Sequence, residues 1–130
     1  MEHVLLVEDE PVLRKLICTF LRSEDYIVEE ADSVEGAKRI IDTELIDLIV
    51  SDFRLGPDTA GDLYQWLLEK YPRMSSRLIV ISGWPDIEGF PYFLPKPFRV
   101  GELITLIRMA MDLPITEEVA APNSRTREMF

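Results

Sequence analysis

The feature that most constrains the fold is the alternation of short apolar runs with helical patterns along the chain. Runs rich in Ile, Leu and Val occupy residues 4–7, 45–51 and 78–82, and a more polar run at 26–31 is typical of an edge strand. A fifth strand is predicted at 92–95. Strands that alternate with helices indicate a doubly wound α/β fold with a five-stranded parallel sheet and right-handed crossovers.

Four helices are predicted between or after these strands. The first begins at Pro11, a residue favoured in a first turn, because the apolar residues behind it recur at helical spacing. Ser33 is predicted to cap the second, which continues to about Asp42. The other two are expected at about 61–71 and 100–113.

Composition narrows the class of protein. The chain has 130 residues, 47% of them apolar, so residues 1–113 are predicted to form one domain and residues 114–130 a tail or linker. A net charge of −10 without a block of basic residues argues against a nucleic-acid surface. No apolar run approaches the roughly 20 residues that span a bilayer. The single cysteine, Cys18, has apolar neighbours and indicates a core thiol, so a reducing, cytoplasmic location is expected.

Five polar residues stand where predicted strands end. Glu8 and Asp9 follow the first strand, Asp52 the third, Ser82 ends the fourth, and Lys96 follows the fifth. In an open parallel sheet these ends meet at one rim, where ligands bind. Carboxylates held this close are tolerated if a hard cation such as Mg²⁺ lies among them and keeps positions open for phosphate oxygens. The pattern predicts a site for phosphoryl transfer.

These stretches resemble the receiver domain of response regulators in two-component signalling, over roughly residues 3–112. The matching stretches are VLLVEDE at 4–10, DLIVSDF at 47–53, LIVISG at 78–83 and FLPKPF at 93–98. Each one alone is a weak signal, but all four in chain order and at strand ends are specific. The resemblance implies a flavodoxin-like receiver fold.

The resemblance also implies roles for the acidic residues. Asp52 would be the phosphoacceptor, whose carboxylate attacks phosphorus. Glu8 and Asp9 would bind Mg²⁺ together with Asp52 and the backbone carbonyl of Arg54. Glu8 departs from the family, whose first acid is commonly Asp. The alternative role for both acids is to complement the dipole of the following helix, and Glu10 is assigned to that role alone.

Two further residues match the groups that bind the phosphoryl oxygens. Ser82 would donate a hydrogen bond from its hydroxyl, and Lys96 would supply a flexible positive charge. Phe93 falls where the family places a switch aromatic, although a strand Phe is more often an ordinary core residue. By the same resemblance, the peptide bond before Pro97 is expected to be cis.

Two residues beside the expected phosphoryl group are predicted to tune its lifetime. Arg54 lies two residues beyond Asp52, and Trp84 two residues beyond Ser82. The cation of Arg54 would pair with phosphate oxygens or obstruct an attacking water. The alternative for Arg54 is a surface ion pair with the nearby acid Asp58 or with Glu88 on the other loop.

The predicted function is a phosphoacceptor signalling module without external substrates. A histidine kinase or histidine phosphotransfer protein would donate the phosphoryl group, and a downstream effector protein would read the result. One alternative is a degenerate receiver that acts as a phosphorylation-independent interaction module, which the complete residue set disfavours. Another is a small Mg²⁺-dependent phosphohydrolase, disfavoured because Arg54 stands where a second acid would act as general acid.

The segment GWPDIEGFP, residues 83–91, is too short for the helix that receivers carry at this place. An average helix takes about 11–12 residues and its flanking loops about 2–6 each. The family's fourth helix is therefore predicted to be missing or reduced to a turn around Asp86 to Glu88. The apolar side chains left near the bared sheet are Trp84, Ile87, Phe90 and Tyr92. They would form either an internal lid or a homodimer interface, and the interface is favoured.

Overall fold

The protein is a single five-stranded parallel sheet with helices on both faces. The computed structural model describes residues 2–84 and 88–112. The strands of the sheet are β1 (His3–Val7), β2 (Ile27–Ala31), β3 (Leu48–Asp52), β6 (Leu78–Ser82) and β7 (Tyr92–Pro95), and β4 (Arg54–Leu55) pairs with β5 (Asp58–Thr59) in a separate antiparallel ribbon. The helices are α1 (Pro11–Ser23), α2 (Val34–Thr43), α3 (Ala60–Lys70), the single turn α4 (Pro72–Ser75) and α5 (Val100–Asp112). The strand order β2-β1-β3-β6-β7 confirms the predicted doubly wound α/β fold.

Successive residues of the central strands point to opposite faces of the sheet. Val4 and Leu6 belong to a core that includes residues of α1 and α5. Leu5 and Val7 belong to a second core on the side of α2 and α3. Each fully buried side chain of this kind contributes about 1.5–3 kcal/mol. Cys18 lies in the first core and is 1% exposed, as expected for a core thiol.

The first residue of β3 differs from the prediction. The strand begins at Leu48 and not at 45. Asp47, the residue before it, binds His3 of β1: its backbone N–H donates to the His3 carbonyl at 2.8 Å, and its carboxylate accepts the His3 backbone N–H at 2.8 Å. Leu45 is 89% exposed and packs against no core. The ring of His3 also contacts this segment, with Nδ1 2.9 Å from the Leu45 carbonyl oxygen.

Side-chain caps fix where the first three helices begin. Glu10 accepts the Leu13 N–H at 3.2 Å, as expected of an acid assigned to the helix start. Ser33 accepts the Gly36 N–H at 3.0 Å and caps α2 as predicted.

The start of α3 carries a reciprocal cap that the sequence prediction missed. Thr59 accepts the Gly61 N–H at 3.1 Å, and Asp62 accepts the Thr59 N–H at 2.8 Å. This capping box explains why the helix begins at Ala60, one residue earlier than expected.

The segment between β6 and β7 has no room for a helix of several turns. Its described residues, 83–84 and 88–91, are not helical, and the single turn predicted around Asp86 falls mainly on residues 85–87, which lie outside the described part. The turn α4 precedes β6 and is not a substitute. The structure therefore confirms that the family's fourth helix is shortened or missing.

Aromatic rings cover the sheet beside this segment. Phe90 makes edge contacts with Phe53, with ring centroids 6.2 Å apart, and with Tyr64, at 5.5 Å. Tyr92 is 1% exposed within the core. Phe90 is half-buried against the core on the side of α2 and α3, and Tyr92 lies in the core on the side of α1 and α5. Both therefore contribute to internal packing, as in the lid alternative, and the homodimer interface stays a prediction. Trp84 remains 54% exposed, and Ile87 lies outside the described residues.

Candidate functional site

Three carboxylates converge at the carboxyl ends of β1 and β3. These strands are paired neighbours, and Val7 stands opposite Ser51 in their register. One carboxylate oxygen each from Glu8, Asp9 and Asp52 lies within 4.8 Å of the others. A cation with ligands at about 2.0–2.1 Å spans about 4.2 Å between opposite ligands. The oxygen donors therefore fit a hard cation of the size of Mg²⁺, as the sequence predicts.

Glu8 is the buried member of this group. It is 3% exposed, and its Oε2 accepts the Glu10 N–H at 3.2 Å. Burial raises the pKa of the Glu8 carboxyl from its ordinary 4.5 to about 7, the Glu10 hydrogen bond lowers it, and the charge of Asp52 raises it further. A bound cation would favour the ionised form of a carboxyl held in this way.

Lys96 places its ammonium group against the acids. Its Nζ is 2.7 Å from Asp52 Oδ1 and 4.0 Å from Glu8 Oε1. The Lys96 backbone N–H donates to the Ser82 carbonyl at 2.9 Å, and the peptide bond to Pro97 is cis, as expected. The end of β7 thus delivers the lysine to the same rim as Asp52.

Ser82 ends the strand next to Asp52. Asp52 stands opposite Ile81 in the register of β3 and β6, so Ser82 follows directly at the rim. Its side chain is buried, and Oγ accepts the Trp84 backbone N–H at 3.0 Å. The hydroxyl proton can therefore be donated to another oxygen. Phe93 is half-buried on β7 opposite Val80, so its ring is not locked in the core.

Arg54 and Trp84 form a cation–π pair beside the site. The guanidinium carbon lies 5.0 Å from the centroid of the Trp84 ring. Among the described residues Arg54 makes no ion pair, so the alternative partners, Asp58 and Glu88, are wrong. The sequence named Arg54 and Trp84 separately, but nothing in it shows that two loops distant in sequence bring them together.

Arg14 is a residue near the site that the sequence analysis missed. Its Nη1 donates to the Glu8 carbonyl at 2.9 Å, and its Nε lies 3.4 Å from Glu30 Oε1. The available signal was a cation one turn into a helix that begins beside three acids, where the helix dipole favours negative charge.

The arrangement places the Asp52 carboxylate beside two further carboxylates, a serine hydroxyl and a lysine ammonium group. These are the groups that phosphoryl transfer uses, since catalysis there depends on positioning and charge neutralisation. Within residues 2–84 and 88–112, none of the helices is long and apolar enough to cross a membrane.

Comparison with known proteins agrees with this chemistry. The family model "Response regulator receiver domain" matches residues 4–108. The transcriptional regulatory protein GlrR of Escherichia coli (strain K12) is 31% identical over 132 residues, which cover 97% of this chain and 29% of GlrR. The chain therefore spans less than a third of that relative's length.

Solved structures share the fold. The non-phosphorylated HemR receiver domain from Leptospira biflexa aligns with a TM-score of 0.78 at 24% identity, covering 88% of this chain and 97% of that chain. The response regulator TrrA from Thermotoga maritima, in complex with Mg(2+)-BeF, aligns with a TM-score of 0.76 at 21% identity, covering 85% and 99%. The chain belongs to the family of response regulator receiver domains.

Proposed function

We propose that this chain is a phosphoacceptor module in which Asp52 receives a phosphoryl group from a histidine kinase or a histidine phosphotransfer protein. The observation that carries the proposal is the position of the Asp52 carboxylate. It lies together with the Glu8 and Asp9 carboxylates, whose oxygens suit Mg²⁺. It also contacts the Lys96 ammonium group at 2.7 Å.

The proposed step is a direct displacement at phosphorus. A carboxylate oxygen of Asp52 forms the new P–O bond while the P–N bond to the donor imidazole breaks and that nitrogen takes up a proton. When bound by Glu8, Asp9, Asp52 and the Arg54 carbonyl, Mg²⁺ would neutralise charge on the phosphoryl oxygens. Lys96 exchanges its contact with Asp52 for one phosphoryl oxygen, and Ser82 donates its hydroxyl proton in a hydrogen bond to another.

The module signals by a shift between two conformations. The phosphoryl group favours one of them only by as much as it interacts better there with Ser82 and Lys96. Phe93, which is half-buried and lies three residues before Lys96, is proposed as the aromatic that changes position. The reader of this change is a downstream effector protein, and the setting is cytoplasmic. No turnover of an external substrate is part of the proposal.

Intact-mass measurement with acetyl phosphate and Mg²⁺ tests the proposal. The parent should gain one phosphoryl group, and the gain should disappear with a chelator of Mg²⁺ and in Asp52→Asn. A degenerate receiver would gain no mass under either condition. A phosphohydrolase would instead release inorganic phosphate from a phosphate monoester in repeated turnovers. Either result would remove the proposed function.

A further inference from the structure

We propose that Arg14 is a positioning residue that holds the backbone of Glu8, so that the carboxylates of Glu8, Asp9 and Asp52 can meet on one cation. The inference rests on the proposed function, because it concerns how this chain prepares its Mg²⁺ site. Arg14 is not a ligand in this proposal and does not touch the phosphoryl group.

The first contact fixes the backbone at Glu8. Arg14 lies one turn into α1, and long side chains on a helix point back toward its N-terminus. This direction brings Nη1 to the Glu8 carbonyl at 2.9 Å. The Glu8 N–H donates to the Ala31 carbonyl at 3.0 Å. Both backbone polar groups of Glu8 are therefore bonded, and the two peptide planes that aim its carboxylate and that of Asp9 are held.

The second contact anchors Arg14 to the sheet. Its Nε lies 3.4 Å from Oε1 of Glu30, a residue of β2. The other oxygen of Glu30 is 3.3 Å from Nη2 of Arg22, which also donates to the Val28 carbonyl at 2.9 Å. The planar guanidinium of Arg14 thus contacts the acidic loop and the edge strand together, which the single ammonium of a lysine does poorly.

The contact of Arg14 with the Glu8 backbone would counter the repulsion among neighbouring acids. Glu8, Asp9 and Glu10 are consecutive acids, and their mutual repulsion favours conformations in which the carboxylates separate. A metal site gains affinity when the backbone holds its ligands close before the cation arrives. Arg14 is also a cation near the site, and its charge alone would repel Mg²⁺. Geometry and charge therefore predict opposite signs for its removal.

Calorimetric titration with Mg²⁺ at fixed ionic strength separates the two effects. Arg14→Ala should bind Mg²⁺ about tenfold more weakly than the parent, the lower end of the effect of losing a group that orients metal ligands. Arg22→Ala is the matched control, because it removes the same charge from the same helix and the same Glu30 partner without touching Glu8. Its affinity should stay close to that of the parent. Equal or tighter binding in Arg14→Ala would overturn the inference.

A second variant guards against loss of folding. Arg14→Lys keeps the charge but cannot contact Glu8 and Glu30 as a fork, so it should also bind Mg²⁺ more weakly. If circular dichroism shows that Arg14→Ala is unfolded, the lysine variant decides, and parent-like affinity in it counts against the inference.

The rate of phosphorylation by acetyl phosphate gives an independent readout. In the Arg14 variants it should fall at low Mg²⁺ and recover as Mg²⁺ is raised, whereas general structural damage would not be recovered by the cation. A parent that binds no Mg²⁺ would remove the proposed function and this inference with it. A parent that binds Mg²⁺ and accepts phosphate, with unchanged affinity in both Arg14 variants, would remove the inference alone.

Discussion

At the scale of single residues, Asp52 has a cationic partner before any phosphoryl group arrives. The Lys96 side chain is 31% exposed, so part of the attraction in the 2.7 Å pair is screened by water. Partly exposed ion pairs of this kind contribute about 0–1 kcal/mol. In the proposed function, exchanging Asp52 for a phosphoryl oxygen would therefore cost Lys96 little free energy. In the structure, its charge offsets the repulsion among the three acids.

The pair formed by Arg54 and Trp84 should lengthen the life of the phosphorylated state. The guanidinium carbon of Arg54 lies 5.0 Å from the centroid of the Trp84 ring. Held there, the guanidinium would shield the phosphorus of a phosphorylated Asp52 from water. In Arg54→Ala and Trp84→Leu we expect decay to be faster by about fivefold, corresponding to about 1 kcal/mol for one charge-assisted contact. Arg73→Ala, in the single-turn helix α4 that precedes β6, is the control. The decay rate is measured by intact mass, as the loss of the phosphoryl group with time. An unchanged decay rate in both variants would contradict this role.

Cys18 should be unreactive in the folded protein. Burial raises the pKa of its thiol from 9.0 to about 11, so the thiolate fraction at pH 8 is about a hundredfold lower than in the unfolded chain. Alkylation by iodoacetamide at pH 8 should therefore be at least that much slower in buffer than in urea. Alkylation at similar rates in both would show that the thiol is accessible.

The same thiol predicts how stability depends on pH. Since the folded pKa lies above the unfolded one, the folded state keeps its proton longer. The stabilisation is complete below about pH 9 and is lost as pH rises toward 11. Urea unfolding between pH 8 and 11 should show a steeper decline in the parent than in Cys18→Ala, and identical slopes would contradict the assignment.

At the scale of elements, the capping box is expected to determine the stability of α3. Thr59→Ala removes the side-chain acceptor for the Gly61 N–H and should lower the free energy of unfolding by about 1 kcal/mol. Thr43→Ala is the matched control, because the Thr43 hydroxyl donates to the carbonyls of Arg39 and Ile40 in the exposed last turn of α2 and caps no free N–H. Urea unfolding measures both, and an equal loss in the two variants would mean that the cap is unimportant.

The sequence predicted elements whose signal is local and missed contacts that depend on loops. Short runs rich in Ile, Leu and Val located β1, β3 and β6, a more polar run located β2, and β7 was placed at the segment that leads to Lys96. The residues at the strand ends predicted the acidic cluster with Lys96. The ribbon β4–β5 was missed because its strands have two residues each, too few for a pattern. Two contacts were missed, that of Arg14 with Glu8 and that of Arg54 with Trp84. Both depend on the conformation of loops, which the sequence pattern does not determine.

At the scale of the whole molecule, inward packing of Phe90 predicts a monomer. The ring covers Phe53 and Tyr64, so its removal should expose apolar surface beside β6. Sedimentation should show a monomeric parent, a monomeric Trp84→Ala, and an associating Phe90→Ala. A dimeric parent that Trp84→Ala dissociates would instead support the homodimer interface expected from the sequence.

The hydrogen bond from the Trp84 backbone N–H to the Ser82 hydroxyl connects the candidate site directly to the protein surface. One hydrogen bond of 3.0 Å runs from the Trp84 backbone N–H to the buried Ser82 hydroxyl at the sheet rim, and Trp84 itself is 54% exposed. In this chain a displacement of Ser82 by a fraction of an ångström would pass directly to the Trp84 backbone. A partner protein would then recognise the orientation of the Trp84 ring, and tryptophan fluorescence would follow that orientation in real time.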